Sequence, residues 1–287
     1  MGLSIHTNYA SLVTQSQLNS TNKSLSTAMQ RLGTGLRINS AADDAAGLQM
    51  ATRLQTQSNG QKVGMSNAQN AISMMQTAEG AMEEMTNIVQ RMKDLATQSA
   101  NGTSTPDDRT AMNAEYKELA SELTNIKNNT TYGGAKLFAN TSGAFRGKVT
   151  FQIGGTSGES LVLKNAASGG ALAVSLTSFS AGLSGLATNT VSGQTGAATT
   201  MGKLDTLLDQ IGTVRSAFGA NINRLEHTIS NLSNMKENTD TAKGRIMDAD
   251  YAAESTSMTK NQMLMQSGMS VLSNSNQMTS LVTSLLR

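Results

Sequence analysis

The chain has 287 residues, a formal net charge of +2 and no run of Lys or Arg, so it lacks the clustered basic face that nucleic-acid binding needs. It has no cysteine, which excludes disulfides, thiolate metal sites and a cysteine nucleophile. Charged residues are 15% of the chain, against roughly 25% in an ordinary globular protein, and aromatics only 3%, so the core must come from aliphatic side chains and 18 methionines, which suits slender helix-to-helix seams.

The opening residues Met1 to Thr7 lack the basic region and continuous apolar run of a secretory signal, and no stretch approaches the roughly 20 apolar residues of a membrane span. From there the apolar spacing is helical. Leu18, Leu25, Met29, Leu32 and Leu36 step by seven, four, three and four, with Leu12 ahead of them. Gly33-Thr34-Gly35 is too short for a phosphate loop and reads as a break in the helix. Asp43-Asp44 could be read as a carboxylate pair, but neighbours on a helix point about 100° apart and do not face each other. Ser40 as a cap with Asp43 at the capping-box position is the better reading.

Met65, Ala68, Ile72, Met75, Ala78, Met82, Met85, Val89, Met92 and Leu95 then recur in threes and fours. At 1.5 Å per residue the stretch from Asn67 to Ser99 predicts a rod of roughly 50 Å. The methionines could form a promiscuous binding groove, but at heptad spacing they read as core. Asn101-Gly102 breaks the rod. Thr105 caps the next helix, with Pro106, the chain's one proline, at its first position and two acids in its first turn. Met112, Tyr116, Leu119, Leu123 and Ile126 form its seam, and Tyr132-Gly133-Gly134 closes the helical part.

In the middle, Val149, Phe151 and Ile153 alternate with polar residues, as do Leu161 and Leu163. With Gly154 to Gly158 between them they predict a hairpin. The stretch 165–199 is rich in Gly, Ser, Thr and Ala and reads as a short variable loop or small surface lobe. Helical spacing returns from Leu204 to Met235 and continues through Met258, Met265, Met269 and Leu272. It ends on Met278, Leu281, Val282, Leu285 and Leu286, an apolar stripe where chain ends are usually frayed and polar. Short helices are marginal in water, so this stripe needs a covering surface. The N-terminal stripe has the same need, and the two together predict self-association.

His6 and His227 are the only histidines, and neither belongs to a metal or triad motif. Asp248-Ala249-Asp250-Tyr251 lacks the Gly and bidentate Glu of a calcium loop and reads, with Arg245, as a polar network at a helix start. No His, Cys or clustered acids occur between Asn140 and Thr200, which disfavours an enzyme housed in the middle segment. A secreted binding module acting as a monomer leaves the terminal stripes unexplained. No enzyme activity and no cofactor are expected.

Three segments together resemble bacterial flagellin: RLGTGLRINSAADDAAGLQMATRL (Arg31–Leu54), AISMMQTAEGAMEEMTNIVQRMKDLATQSANGT (Ala71–Thr103), and the run from GRIMDADYAAES at Gly244 to SLLR at Arg287. They occur in the family's order, within a match over residues 1–155 and 200–287. IHTNYASLVTQ, beginning at Ile5, is similar to lateral, second-system flagellins. The resemblance implies a mainly α fold: an elongated antiparallel coiled-coil bundle of N- and C-terminal segments with a small β-hairpin region in the middle. It implies filament-core helices over 1–42 plus 246–287, a helical rod with hairpin over 43–164 plus 200–245, and no large outer domain.

The function implied is self-assembly into the extracellular flagellar filament for motility, after type III export without a cleavable signal. The residues expected to carry assembly are Leu12, Leu18, Leu25, Met29, Leu32, Met265, Met269, Leu272, Leu281, Val282, Leu285 and Leu286. By resemblance the partners are further copies of the chain, an export chaperone, the filament cap, hook-junction proteins and a flagellin-sensing Toll-like receptor. Gln90, Arg91, Leu95, Gln98 and Glu115 match the receptor-recognition positions. No nucleic acid or membrane partner is expected. A hook–filament junction protein, which shares the terminal segments, is the alternative.

Overall fold

A computed structural model describes residues 8–139, 143–146, 149–163, 179–183, 185–186 and 189–285. Five long helices carry most of it: α1 (Tyr9–Thr34), α2 (Ala45–Ala100), α3 (Pro106–Asn129), α4 (Gln194–Met247) and α5 (Tyr251–Leu285). Two antiparallel hairpins lie between α3 and α4: β1 (Thr131–Tyr132) with β2 (Ala135–Lys136), and β3 (Val149–Gln152) with β4 (Ser160–Leu163). The chain divides into two compact units, Met1–Thr56 with Glu237–Arg287, and Gln57–Lys236.

The larger unit, Gln57–Lys236, holds a dense core. From α2 come Met75, Met82, Met85, Met92 and Leu95, all essentially without solvent contact. Tyr116 and Leu123 of α3 and Leu204, Leu207, Ile211, Val214, Phe218 and Leu225 of α4 meet them. Full burial is worth about 1.5–3 kcal/mol for each large apolar side chain. The unbranched methionine fills the irregular gaps that few aromatics leave. Those few aromatics are concentrated: Phe145 lies 6.2 Å from Phe138 and 5.1 Å from Phe218, centroid to centroid. Burial also pushes the pKa of the Tyr116 phenol up, keeping it neutral.

Local chemistry sets the helix ends. Thr105 caps α3 in a full capping box, its hydroxyl accepting from the Asp108 amide while the Asp108 carboxylate accepts from Thr105 N–H. The Thr105 hydroxyl and amide hold the Asp108 carboxyl below the usual range. Gly35 ends α1 at φ 74°, where its amide bonds the Arg31 carbonyl. The capping box expected at Ser40 is instead a tight turn. Asp43 accepts from the backbone amides of Asn39 and Ser40 and from the Ser40 hydroxyl, and α2 starts only after Asp44, which accepts from Gly47 N–H. Two acids follow Asn39-Ser40-Ala41-Ala42 in sequence, and the second accepts from the Gly47 amide in the first turn of the helix.

The predicted middle hairpin forms, with Val149 opposite Leu163 and Phe151 opposite Leu161. Leu161 and Leu163 are buried in the core of the same unit. A second, minimal hairpin was not foreseen. Gly133 and Gly134 both take positive φ, 58° and 82°, the turn geometry that joins two strands with least splay. Residues 164–178 of the Gly- and Ser-rich segment lie outside the described residues. Its described part places Phe179, Leu183, Leu186 and Val191 in the core.

The loop of the middle hairpin sits directly on α2. Gly60 and Gly64 are one helical turn apart, and a Cβ on Gly64 would lie 2.4 Å from the Ile153 carbonyl oxygen. A Cβ on Gly60 would lie 2.7 Å from Gly155 Cα. Asn67 Nδ2, on the next turn, donates to the Gln152 carbonyl at 2.9 Å. Replacing glycine by alanine within a helix ordinarily gains about 1 kcal/mol. Here that gain competes with a backbone clash that no rotamer relieves. Gly80, by contrast, has open space around it. Gly80→Ala is therefore expected to raise stability by about 0.5–1 kcal/mol, and Gly64→Ala to lower it by about 1–3 kcal/mol. Denaturant unfolding of the two variants checks both signs.

Candidate assembly surface

The smaller unit, built on α1 and α5, is a different kind of object. The two helices run antiparallel, as their contacts at either end show. Asn8 Nδ2 donates to the carbonyl and hydroxyl oxygens of Ser275 at 3.0 and 3.2 Å, and Ser11 Oγ donates to Asn276 at 3.1 Å. At the other end Arg31 Nη1 meets Glu254 Oε1 at 2.9 Å. Between them Leu18 seats against Gly268, where a Cβ would come within 2.7 Å of a Leu18 methyl. These pairs fix one register along the seam.

The turns that lead into this helix pair are tied together as well. Arg37 N–H donates to Met247 O at 2.6 Å and Ala249 N–H to Gly35 O at 3.0 Å. Asp250 then caps α5 by accepting from the amides of Ala252 and Ala253. This is the polar helix start that the Asp248–Tyr251 stretch predicts.

What the seam contains matters more than its register. On α1 the sheltered positions are Ser11, Thr14, Leu18, Thr21, Leu25, Ala28, Arg31 and Leu32. On α5 they include Glu254, Met258, Asn261, Met265, Gly268, Leu272 and Ser275. Both series step by threes and fours, but half of the residues are small or polar. Many other large apolar side chains point away. Tyr9 is 69% exposed, Leu12 60%, Met263 58%, Met278 58% and Val271 55%. Among the described residues, eleven of the thirteen large exposed apolar side chains belong to this smaller unit. On α5, Leu264, Val271 and Met278 form a stripe at intervals of seven, and Leu285 follows at the same interval. Isolated exposed apolar residues are ordinary, but a concentration on one helix pair marks an interaction surface.

The expected assembly residues therefore divide. Leu18, Leu25, Leu32, Met265 and Leu272 face the intramolecular seam, whereas Leu12, Met29 and Met269 face outward. Leu281, Val282 and Leu285 lie in the backbone of α5, and Leu286 lies outside the described residues. Sequence reasoning missed the outward members Tyr9, Val13, Leu264 and Val271. The interval of seven from Leu264 to Leu285 was the available signal. The second group is placed on the larger unit. Gln90, Arg91, Gln98 and Glu115 are exposed, and Arg91 donates through Nε and Nη2 to one Glu115 oxygen at 2.9 and 2.8 Å. Leu95 is 2% exposed and belongs to the core beneath them. Among the described residues no cluster of His, Cys, Asp or Glu could hold a metal ion, and no helix is long and apolar enough to cross a membrane.

Comparison with known proteins agrees with this arrangement. Residues 5–143 match the family model of the bacterial flagellin N-terminal helical region, and residues 201–286 match that of the C-terminal helical region. The chain belongs to the bacterial flagellins. Flagellin A of Vibrio cholerae is 34% identical over 383 aligned residues, covering all of both chains. The flagellin of Halalkalibacterium halodurans is 38% identical over 260 residues, covering 91% of each. Polar flagellin B/D of Vibrio parahaemolyticus is 34% identical over the full length of both chains. Among solved structures, one described as a flagellar hook-associated protein from Vibrio parahaemolyticus superposes with a TM-score of 0.55 at 16% identity, over 72% of this chain and 100% of that one. That likeness is one of fold, whereas the full-length sequence relatives are flagellins.

This flagellin is accordingly a structural subunit of the extracellular flagellar filament, a polymer of its own copies that serves motility. The helix pair with the outward stripes lies within the two family-matched ends of the chain. Within the pair, the Arg31–Glu254 bridge is the more sheltered of the two carboxylate–arginine pairs, its side chains 29% and 16% exposed against 52% and 45% for Arg91–Glu115. A double-mutant cycle is expected to give about 1–3 kcal/mol of coupling for the sheltered pair and about 0.2–1 kcal/mol for the exposed pair. Equal couplings would contradict the difference in shelter.

Proposed function

We propose that polymerisation runs through the outward stripes of α1 and α5, which neighbouring copies cover. The seam residues Leu18, Leu25, Leu32, Met265 and Leu272 hold the pair in the shape that presents those stripes. The observation that carries this reading is that, among the described residues, eleven of the thirteen exposed large apolar side chains lie on the smaller unit and two on the larger. The domain reading that goes with it assigns 1–42 plus 246–287 to the filament core, 43–164 plus 200–245 to a helical rod, and 165–199 to a short variable segment. The two family models leave 144–200 between them, in keeping with a small middle. Assembly is tested by seeding the full chain with filament fragments. Val271→Asp is expected to slow elongation at least about tenfold, because it forces an unpaired charge into a dry contact. A chain ending at Asn274 should not form normal filaments. Normal elongation by both would reject the reading.

The same reading includes type III export, an export chaperone, the filament cap and hook-junction proteins. It also includes recognition by a flagellin-sensing Toll-like receptor at Gln90, Arg91, Gln98 and Glu115, with Leu95 holding the helix from inside. The Arg91–Glu115 pair supports it by presenting a planar, oriented guanidinium at an exposed position. In a receptor reporter assay Arg91→Ala should reduce the potency of monomer about tenfold, as an exposed anchor arginine does. An unchanged response would remove the receptor from the account.

A further inference from the structure

Among the described residues the methionines include two groups at opposite extremes of exposure. Met75, Met82, Met85 and Met92 have no solvent exposure in the core of the larger unit. Met29, Met50, Met263, Met269 and Met278 are 49%, 57%, 58%, 54% and 58% exposed, and all belong to the smaller unit. With no cysteine in the chain, thioethers are its most readily oxidised sulfur groups. An exposed thioether is open to an oxidant, whereas a thioether packed at zero exposure is not. Four of these five methionines sit on α1 and α5, the helices whose outward faces carry assembly in the reading above, and Met278 lies on the stripe of Leu264 and Val271, whereas Met235 of the larger unit is less exposed, at 37%.

We propose that these five methionines are an oxidation site that switches off the assembly competence of the free subunit. The oxidant class is a hydroperoxide. A sulfur lone pair attacks the distal peroxide oxygen, the S–O bond forms as the O–O bond breaks, and the proton on the transferred oxygen passes to the departing hydroxide or alkoxide, which leaves as water or an alcohol. The sulfur loses two electrons and the peroxide gains them. The sulfoxide is a strong acceptor on a flexible stem. Packed against a neighbour's apolar stripe it has no donor to meet, and burying an unpartnered polar group is unfavourable. In the filament the same side chains are covered, so oxidation acts before incorporation and not after it. The change is reversible by methionine sulfoxide reduction, which restores the thioether.

The inference rests on the assembly reading, and the experiment separates the two. Free full-length chain is treated briefly with hydrogen peroxide, mapped by peptide mass spectrometry, and used to elongate seeds beside untreated chain. Oxidation is expected at Met29, Met50, Met263, Met269 and Met278 while Met75, Met82, Met85 and Met92 stay reduced. Elongation by the treated chain should fall at least about tenfold, with recovery after a methionine sulfoxide reductase. A chain with all five replaced by leucine should elongate equally well with and without peroxide. Untreated chain that cannot elongate would overturn the assembly reading and this inference with it. Untreated chain that elongates, with oxidised chain elongating as fast, would overturn this inference alone. So would oxidation of the core methionines ahead of the exposed five, or loss of competence by the five-leucine chain after peroxide. Reductase rescue of the native chain keeps the test decisive even if the leucine chain assembles poorly.

Discussion

The narrow seam between α1 and α5 is the constraint on which the functional surface depends. Two helices that meet through Ala28, Thr21, Ser275 and Gly268 approach closely and bury little. Beside these, Leu18, Leu25, Leu32, Met265 and Leu272 line the seam, while many other large apolar side chains are left on the outside. Polar contacts at both ends, Asn8 with Ser275 and Arg31 with Glu254, set the register without adding much apolar burial. The pair is thus well specified in geometry and poorly supplied with core. In the assembly reading proposed above, contacts with other copies supply the burial that this pair lacks.

The larger unit answers a different demand. Its helices hide nearly every large apolar side chain, and its core of methionine and leucine is as dry as that of an independent domain. Polar contacts set its helix ends, as in the Thr105–Asp108 box. The division of labour therefore follows side-chain volume. Where seams are filled with Met, Leu, Ile and Phe the unit is self-sufficient. Where they are filled with Ser, Thr, Ala and Gly it is social.

Much of this was legible in the sequence. The helices of residues 67–129 and 204–235, the capped start at Thr105 and the existence of the middle hairpin follow from periodicity and turn chemistry alone. The turn at Ser40 did not, because two adjacent acids compete for the free amides and only geometry shows which one faces the helix. Phe179, Leu183 and Leu186 were also hidden, since a segment rich in small residues shows no period to mark its few core members. At the assembly surface the sequence supplied the apolar residues but not their direction. Leu12 and Leu18 look alike in a heptad count, and one points out while the other packs against Gly268.

The seat of the middle hairpin on Gly60 and Gly64 has a consequence for how the surface of this flagellin can change over time. The contact is backbone against backbone, so the outward side chains of Thr156 and Ser157 carry none of it. Those positions can drift in size, charge and antigenic character while the mount beneath them stays as it is. The selective burden falls on two glycines distant in sequence, and a lineage that keeps them retains the hairpin's position however its exposed tip diversifies.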